Sequence, residues 1–387
     1  MHHTDDRPYQ ICQRCIMDTS DPENTFNTDG ICLRCREYEL RLQASPICDP
    51  QREEKLERLV ETIRHEGQGK DYDCIIGVSG GTDSTYATYI TRKLGLRPLA
   101  IHLDNGWNSE LAVSNIENTL KALDIDLYTH VLDWDEFRDL QLAFLRSSTP
   151  DSEIPTDHAI FSLLRIKANE LGIRHIITGI NTRTEGITVP AWSRGHTDWK
   201  YIQSIHQRFG TVPLKTFPHC SWLDYAYYRD IKRQQRIRIL DYVEYNKKEA
   251  VQTITDELNW RPYLGKHHES IYTRFYQIYI LPKKFGFDKR RWHLSDLIMA
   301  GQITRDEALA EMEEDIYPVD LVQQDKIFVA KKLGISEQEF DAVIAESPKT
   351  FFDYPSYEST PYVRFLRAIK SKFMSPGTVL ATTRPID

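Results

Sequence analysis

No stretch of this sequence comes near the roughly 18 consecutive apolar residues that a membrane-spanning helix needs. The opening, MHHTDDRPYQIC, lacks the apolar core of a secretory signal, so the expected location is the cytoplasm. Seven cysteines are too few and too unevenly placed for a disulfide scaffold. There is no surplus of basic charge: 49 Lys and Arg against 57 Asp and Glu leave a formal net charge of -8. That balance argues against a nucleic-acid binder whose affinity rests on neutralising phosphates. The Walker lysine and the GxGxxG dinucleotide pattern are both missing, which disfavours ordinary P-loop NTPases and Rossmann dehydrogenases. Low-complexity tracts and internal repeats are missing too. What remains is a globular chain of 387 residues, 40% hydrophobic, long enough for one large catalytic domain and a smaller attachment.

Its organisation follows from periodicity. Residues 1–45 form a cysteine-bearing module, and apolar positions Leu56, Leu59, Val60 and Ile63 mark an amphipathic helix within 49–66. Strands are predicted over 72–78, 98–103, 126–132 and 175–180, with helices over 82–94, 110–123 and 161–171 between them. This alternation predicts an α/β fold with a mainly parallel sheet covered on both faces. The catalytic domain is expected to span 46–220. A mostly helical region for substrate or partner binding follows over 221–387, with helices near 225–244, 304–315 and 321–346 and a loosely ordered tail after Ser371.

Cys12, Cys15, Cys32 and Cys35 make two CxxC pairs. Four thiolates give Zn2+ the closed tetrahedral shell of a structural site, which suits a module too small to have much core of its own. An iron–sulfur cluster is the weaker reading of the same pattern. Of the other cysteines, Cys74 lies in a predicted buried strand, Cys48 in a linker, and Cys220 in a context that reads as more exposed.

The segment Gly77-Val78-Ser79-Gly80-Gly81-Thr82-Asp83-Ser84 follows an apolar strand and opens a helix. Gly80 and Gly81 allow the backbone to approach an anion, and the helix start supplies unpaired N–H groups. Ser79 and Ser84 add hydroxyls, while Asp83 suits Mg2+ or loop orientation. This loop resembles the SGGxDS loop of the PP-loop ATP pyrophosphatases (adenine nucleotide alpha hydrolase-like), whose members adenylate a substrate, release pyrophosphate and admit a nitrogen or sulfur nucleophile. Asp104-Asn105-Gly106 ends the next strand, where Asp104 serves adenosine, a metal or an ordinary Asx turn. Gly179, Asn181 and Glu185 resemble the later GxN-containing loop of such sites. Arg165 is a phosphate-neutralising or a helix-pairing residue.

The resemblance extends further. Cys12-Gln13-Arg14-Cys15-Ile16-Met17-Asp18, the segment Trp260-Arg261-Pro262-Tyr263-Leu264-Gly265-Lys266-His267-His268-Glu269-Ser270, Phe285 to Ser295, and Gly301 to Arg305 are similar to bacterial N-acetyl sugar amidotransferases of surface-polysaccharide or flagellar-sugar pathways. This resemblance implies ATP, Mg2+ and Zn2+ as cofactors and a nucleotide-linked or sialic-acid-like N-acetyl sugar as substrate. It also implies replacement of the acetamido oxygen by ammonia through an adenylyl imidate. No cysteine sits in a nucleophile elbow, so ammonia is expected from a separate glutaminase, with a cyclase-like channel subunit. Candidate catalytic residues are Asp83, Lys266, His267, Glu269 and Lys289, with Arg274 and Arg290 as further basic contacts. The runner-up is a tRNA-thiolating ATP pyrophosphatase, which needs a reactive cysteine outside the metal set.

Overall fold

The computed structural model describes residues 7–263, 265–314 and 317–360. Among these residues five strands form one parallel sheet: β1 (Cys74–Gly77), β2 (Pro98–Asp104), β3 (Leu127–Val131), β4 (His175–Thr178) and β5 (Gln235–Arg238), in the order β3-β2-β1-β4-β5. The Cys-Ile-Ile run of β1 and nearly all of β2 are buried, as strands covered on both faces must be. β3 alternates exposed and half-buried positions because it is an edge, and β5 closes the other edge with Gln235, Arg236 and Arg238. This is the mainly parallel α/β architecture that the sequence predicts, with the four-cysteine cluster at its N-terminal side.

Chain order reverses between β1 and β4. In such sheets ligands bind beyond the carboxyl ends of the strands at that crevice. The loops after β1, β2 and β4 all emerge there.

Several predicted elements are corrected. The single helix expected over 225–244 is instead a short helix, Trp222–Ala226, a π-helical turn, Tyr227–Ile231, and β5. Residues 236–239 alternate polar and apolar, and the open edge of β4 selects that period over the helical one. The helix expected over 321–346 divides into Val319–Leu333 and Glu337–Ala345 at Gly334, whose φ of 77° ends the first, while Ser336 caps the second. The helix expected from residue 161 begins at Ile154, with Pro155 in its first turn. The expectation for the tail after Ser371 lies outside the described residues. No helix among the described residues is long and apolar enough to cross a membrane.

The cysteine module is fastened to the rest of the fold in good part at the helix Arg290–Met299. The guanidinium of Arg291 pairs with Asp18 at 2.9 Å and donates to the carbonyl of Ile16, and the Ile16 N–H donates to the hydroxyl of Ser295. Arg305, one helix further on, donates to the carbonyls of both Cys12 and Cys15. Within the module, Arg34 forms a buried fork onto Asp21, 2.7 Å at the shorter contact, and this holds the polypeptide around the cysteines.

Candidate functional site

Around the strand ends lies a cavity of about 1070 Å³. Ser79, Gly81, Thr82, Asp83 and Ser84 form one part of its wall. The loop is pre-shaped. Ser79 Oγ lies 3.1 Å from Ser84 Oγ and accepts from the Gly81 N–H, and Ser84 donates to the Gly81 carbonyl. Gly80 has φ of 81°, which a side chain would strain, and its carbonyl accepts from Trp260 Nε1 at 2.9 Å and from the Tyr263 hydroxyl at 3.0 Å. Asn115 in turn holds Tyr263 and the backbone of Arg261. The Trp-Arg-Pro-Tyr segment is therefore a clamp over the 79–84 loop.

Downstream of this clamp the chain carries functional groups into the cavity. Residues 269–271 lie along 107–109, with Ser109 N–H donating to the Glu269 carbonyl, and the Glu269 side chain reaches the position of Gly81. His267 adopts φ of 63°, uncommon for a side-chain-bearing residue, and its Nδ1 stands 3.7 Å from Glu269 Oε1. Burial opposes ionisation of Glu269, yet His267 keeps its carboxyl below the usual range. Lys266 donates to the Thr184 carbonyl and pairs with Glu185 at 3.2 Å. Burial disfavours the charge on Lys266, but Glu185, Asp83 and Asp296 outweigh it and raise its pKa. Glu185 moves the opposite way: burial pushes it up, and Lys266 and His267 bring it below an ordinary glutamate.

Asp83 accepts hydrogen bonds from the hydroxyls of Tyr245 and Thr184, the latter at 3.2 Å. Gly179 brings the β4 loop against this helix start so closely that a Cβ there would sit 2.6 Å from the Ser84 nitrogen. Lys289, a further wall residue, lies over the Trp292 ring at 5.5 Å.

Other predicted residues stand elsewhere. Asp104 accepts from the Gly106 N–H in an Asx turn and does not line the cavity. Asn181 is fully buried and caps the short helix Thr182–Glu185 through the N–H groups of Arg183 and Thr184. Arg165 is buried with its guanidinium over the Tyr225 ring at 5.3 Å, outside the cavity wall. Arg274 pairs with Asp325 at 2.8 Å, and Arg290, although on the wall, pairs with Asp288 and donates to carbonyls of Glu311, Met312 and Glu314.

Other wall residues lie outside any motif of the sequence. Lys247 is one of them, its pKa lowered by burial and then by Lys266. His293 is another: burial, Lys266 and His267 hold its imidazole well below the usual range. A second polar group comprises Asp151, Glu153, Asp157 and His196. His196 Nε2 lies 3.2 Å from Asp151 and 3.3 Å from Asp157. Burial, with Asp157 and Asp151 adding to it against a bond from Thr273, pushes the Glu153 carboxyl up to about 8. Asp151, Glu153 and Asp157 reach the wall around the start of the Ile154–Glu170 helix, and His196, which is not on the wall, joins them from a separate loop.

A raised carboxyl pKa makes the folded protein bind an extra proton between the unfolded value of about 4.3 and the folded one of about 8. That contribution to stability is present below the lower value and disappears as pH rises through the upper one. Wild-type protein should therefore lose melting temperature relative to Glu153→Gln as pH climbs from about 5 to 8. Parallel curves from differential scanning fluorimetry would contradict this.

No cysteine lines the cavity. Cys74 is buried as predicted, whereas Cys220, read as more exposed, is 1% exposed and its thiol is pushed by burial to about 11. His219 stacks on Trp199 at 4.1 Å and serves that packing. The four remaining sulfurs, Cys12, Cys15, Cys32 and Cys35, lie within 4.8 Å of one another and are fully buried. Neighbouring pairs are 3.6, 3.7 and 3.8 Å apart. A tetrahedron with metal–sulfur bonds of about 2.3 Å has edges of about 3.8 Å, so the donor set fits Zn2+. N–H groups of Arg14, Cys15 and Cys32 point to Cys12 Sγ and would balance its negative charge.

Among solved structures, a predicted subunit of a tRNA methyltransferase from Methanocaldococcus jannaschii is 20% identical over 48% of this chain and 76% of its own, with a TM-score of 0.27. The NMN synthetase of Francisella tularensis is 16% identical over 57% and 94%, also at 0.27. The NH3-dependent NAD synthetase of Campylobacter jejuni is 14% identical over 76% and 97%, at 0.30. No curated protein matches the chain. Residues 269–370, however, match the model of the C-terminal domain of WbpG-like LPS biosynthesis proteins. That segment begins at Glu269 on the cavity wall and includes Lys289 and His293. Residues 269–370 are thus similar to the C-terminal domain of WbpG-like LPS biosynthesis proteins, in a chain that also carries a Ser-Gly-Gly-Thr-Asp-Ser loop and a four-cysteine cluster.

Proposed function

We propose that the protein is an ATP-dependent, amidine-forming amidotransferase acting on a nucleotide-linked or related N-acetyl sugar. The observation that carries this reading is one thiol-free cavity that joins a phosphate loop to a separate group of carboxylates and imidazoles. Its volume of about 1070 Å³ leaves room for ATP and a second substrate together. In this reading 1–45 is the zinc module, 46–220 the ATP-binding catalytic domain and 221–387 the substrate- and partner-binding region.

The loop N–H groups and the hydroxyls of Ser79 and Ser84 receive the phosphates, and Lys266 with Lys247 offsets their charge. Asp83 and Glu185 are the carboxylates that would hold Mg2+, which supplies charge stabilisation for departing pyrophosphate. The sugar's amide oxygen attacks the α-phosphorus, and the bond to pyrophosphate breaks. Ammonia then attacks the imidate carbon, the C–O bond to AMP breaks, and one proton of the attacking nitrogen passes to a base. His267, Glu269 and Lys289 orient the acetamido group and the incoming nitrogen. With no thiol in the wall, nitrogen from a separate glutaminase, delivered with a cyclase-like channel subunit, fits better than sulfur transfer.

The test is incubation with Mg-ATP, ammonium and a panel of nucleotide-linked N-acetyl sugars. A sugar product lighter by about one mass unit, formed with one AMP per turnover, is the expected result. AMP released only with tRNA and a sulfur donor would replace this reading with thiolation.

A further inference from the structure

A smaller cavity of about 190 Å³ adjoins the large one. Pro22, Pro150, Ile154, Ala191 and Trp192 give it a mainly apolar wall, and the exposed side chains of Glu23 and Phe352 stand at its rim. Trp192 is held rigidly, stacked on Phe287 at 4.2 Å and donating to the Ser20 carbonyl. Asp151 and Ser193 line both cavities, so a single layer of side chains separates them. In that layer the Ser193 hydroxyl donates to Asp151, and His196 Nε2 lies 3.1 Å from Ser193 Oγ and 3.2 Å from Asp151 Oδ2. Glu153 and Asp157 stand beyond it, on the side of the large cavity only.

Each feature limits what could pass. The volume falls below the roughly 300 Å³ at which ordinary ligand pockets begin, so a nucleotide or nucleotide-linked sugar is too large. Apolar walls penalise an ion but not a small neutral base. Carboxylates at the inner end repel anions and bind cations. Ammonia meets all three conditions, because it crosses apolar surfaces uncharged and is held as ammonium by carboxylates.

We propose that the smaller cavity is the ammonia entrance of the site, with Asp151, Ser193 and His196 as its inner gate and the carboxylates of Glu153 and Asp157 as the receivers of the released proton. The proposal deepens the amidating reading and rests on it. Ammonia crossing the gate forms the new C–N bond with its lone pair. The C–O bond to AMP breaks, its electron pair leaving with AMP, and the surplus proton of the nitrogen goes to Glu153 or Asp157. An ammonium ion arriving instead gives one proton to the same carboxylates before it attacks. With its pKa pushed up to about 8, Glu153 takes up that proton from its ionised fraction, which grows as pH rises above neutrality. The entrance also gives the N-terminal module a part in the site, because Pro22 and Glu23 form one side of it.

Ala191 lines the smaller cavity and not the large one, so Ala191→Phe can fill the passage, with Ala191→Leu as the milder variant. Sugar-dependent ATP–pyrophosphate exchange reads adenylation without ammonia and also reports that each variant is folded. AMP release against ammonium chloride concentration reads the second half of the reaction. Exchange should stay within about two-fold of wild type while the KM for ammonium rises about ten-fold in Ala191→Phe and less in Ala191→Leu. Intact exchange with an unchanged ammonium KM in both variants overturns the entrance and leaves the amidating reading standing. Wild-type protein that exchanges with no sugar overturns the amidating reading itself, and the entrance falls with it.

Discussion

Serine in place of Cys12 is expected to remove the bound metal and, with it, the order of a helix nearly 280 residues away in sequence. Cys12 is the hub of the cluster: its sulfur lies 3.8 Å from that of Cys35 and accepts from three backbone N–H groups. Structural Zn2+ in small cysteine modules binds with an apparent free energy of about 10–16 kcal/mol, most of which is folding free energy. Without it, a module of this size has too little apolar surface to stay ordered. The consequence should travel through specific contacts. Ser295 and Arg291 hold Ile16 and Asp18, while Arg305 holds the carbonyls of Cys12 and Cys15. The same helix carries His293 into the cavity, and its Asp296 accepts from the Ile187 N–H. Hydrogen exchange should therefore rise in 290–299 and around 186–189 while β1 and β2 keep their protection. Elemental analysis should show loss of zinc in Cys12→Ser and none in Cys48→Ser, whose thiol is exposed and outside the cluster. If 290–299 stays protected after zinc is lost, the module is an independent attachment.

The second large effect is expected at Gly179. An alanine Cβ would stand 2.6 Å from Ser84 N and 2.7 Å from Asp83 C, and both obstacles are backbone at the start of the helix that closes the phosphate loop. Neither can rotate away. The β4 loop and the phosphate loop must separate, which costs about 1–3 kcal/mol as overpacking does elsewhere. The displacement falls where Thr184 reaches Asp83 and Lys266 reaches Glu185. ATP affinity measured by calorimetry should drop by about ten-fold or more, with a melting temperature lowered by several degrees. Gly172→Ala is the control for handling a glycine of the same fold, since nothing lies within 4 Å of its Cβ, although its φ of 63° leaves local strain. Unchanged ATP affinity in Gly179→Ala would mean that the two loops are not packed as described.

Much of this was legible in one dimension. Two CxxC pairs announce four converging thiols because the chemistry needs only those residues and a return of the chain. An apolar strand followed by Ser-Gly-Gly-Thr-Asp-Ser announces an anion loop because backbone N–H groups at a helix start do the binding. The alternation of strand and helix was enough for a parallel sheet. Local pattern failed where a partner strand made the choice, as at 235–238, which become β5 only because β4 has an open edge.

The site shows the same division. Asp104, Asn181 and Arg165 occupy positions that motif reading favours, yet their side chains serve a turn, a helix cap and a ring contact rather than the cavity wall. Lys247, His293 and the Asp151–Glu153–Asp157–His196 group carry no pattern, since they come from four separate stretches of chain. The sequence by itself determined the metal donors, the phosphate loop and the fold class, because each depends on residues close together along the chain. Tertiary structure alone decided which charged groups share the cavity, what holds the four-cysteine module in place and how the second cavity meets the first, because those depend on distances between residues tens to hundreds of positions apart.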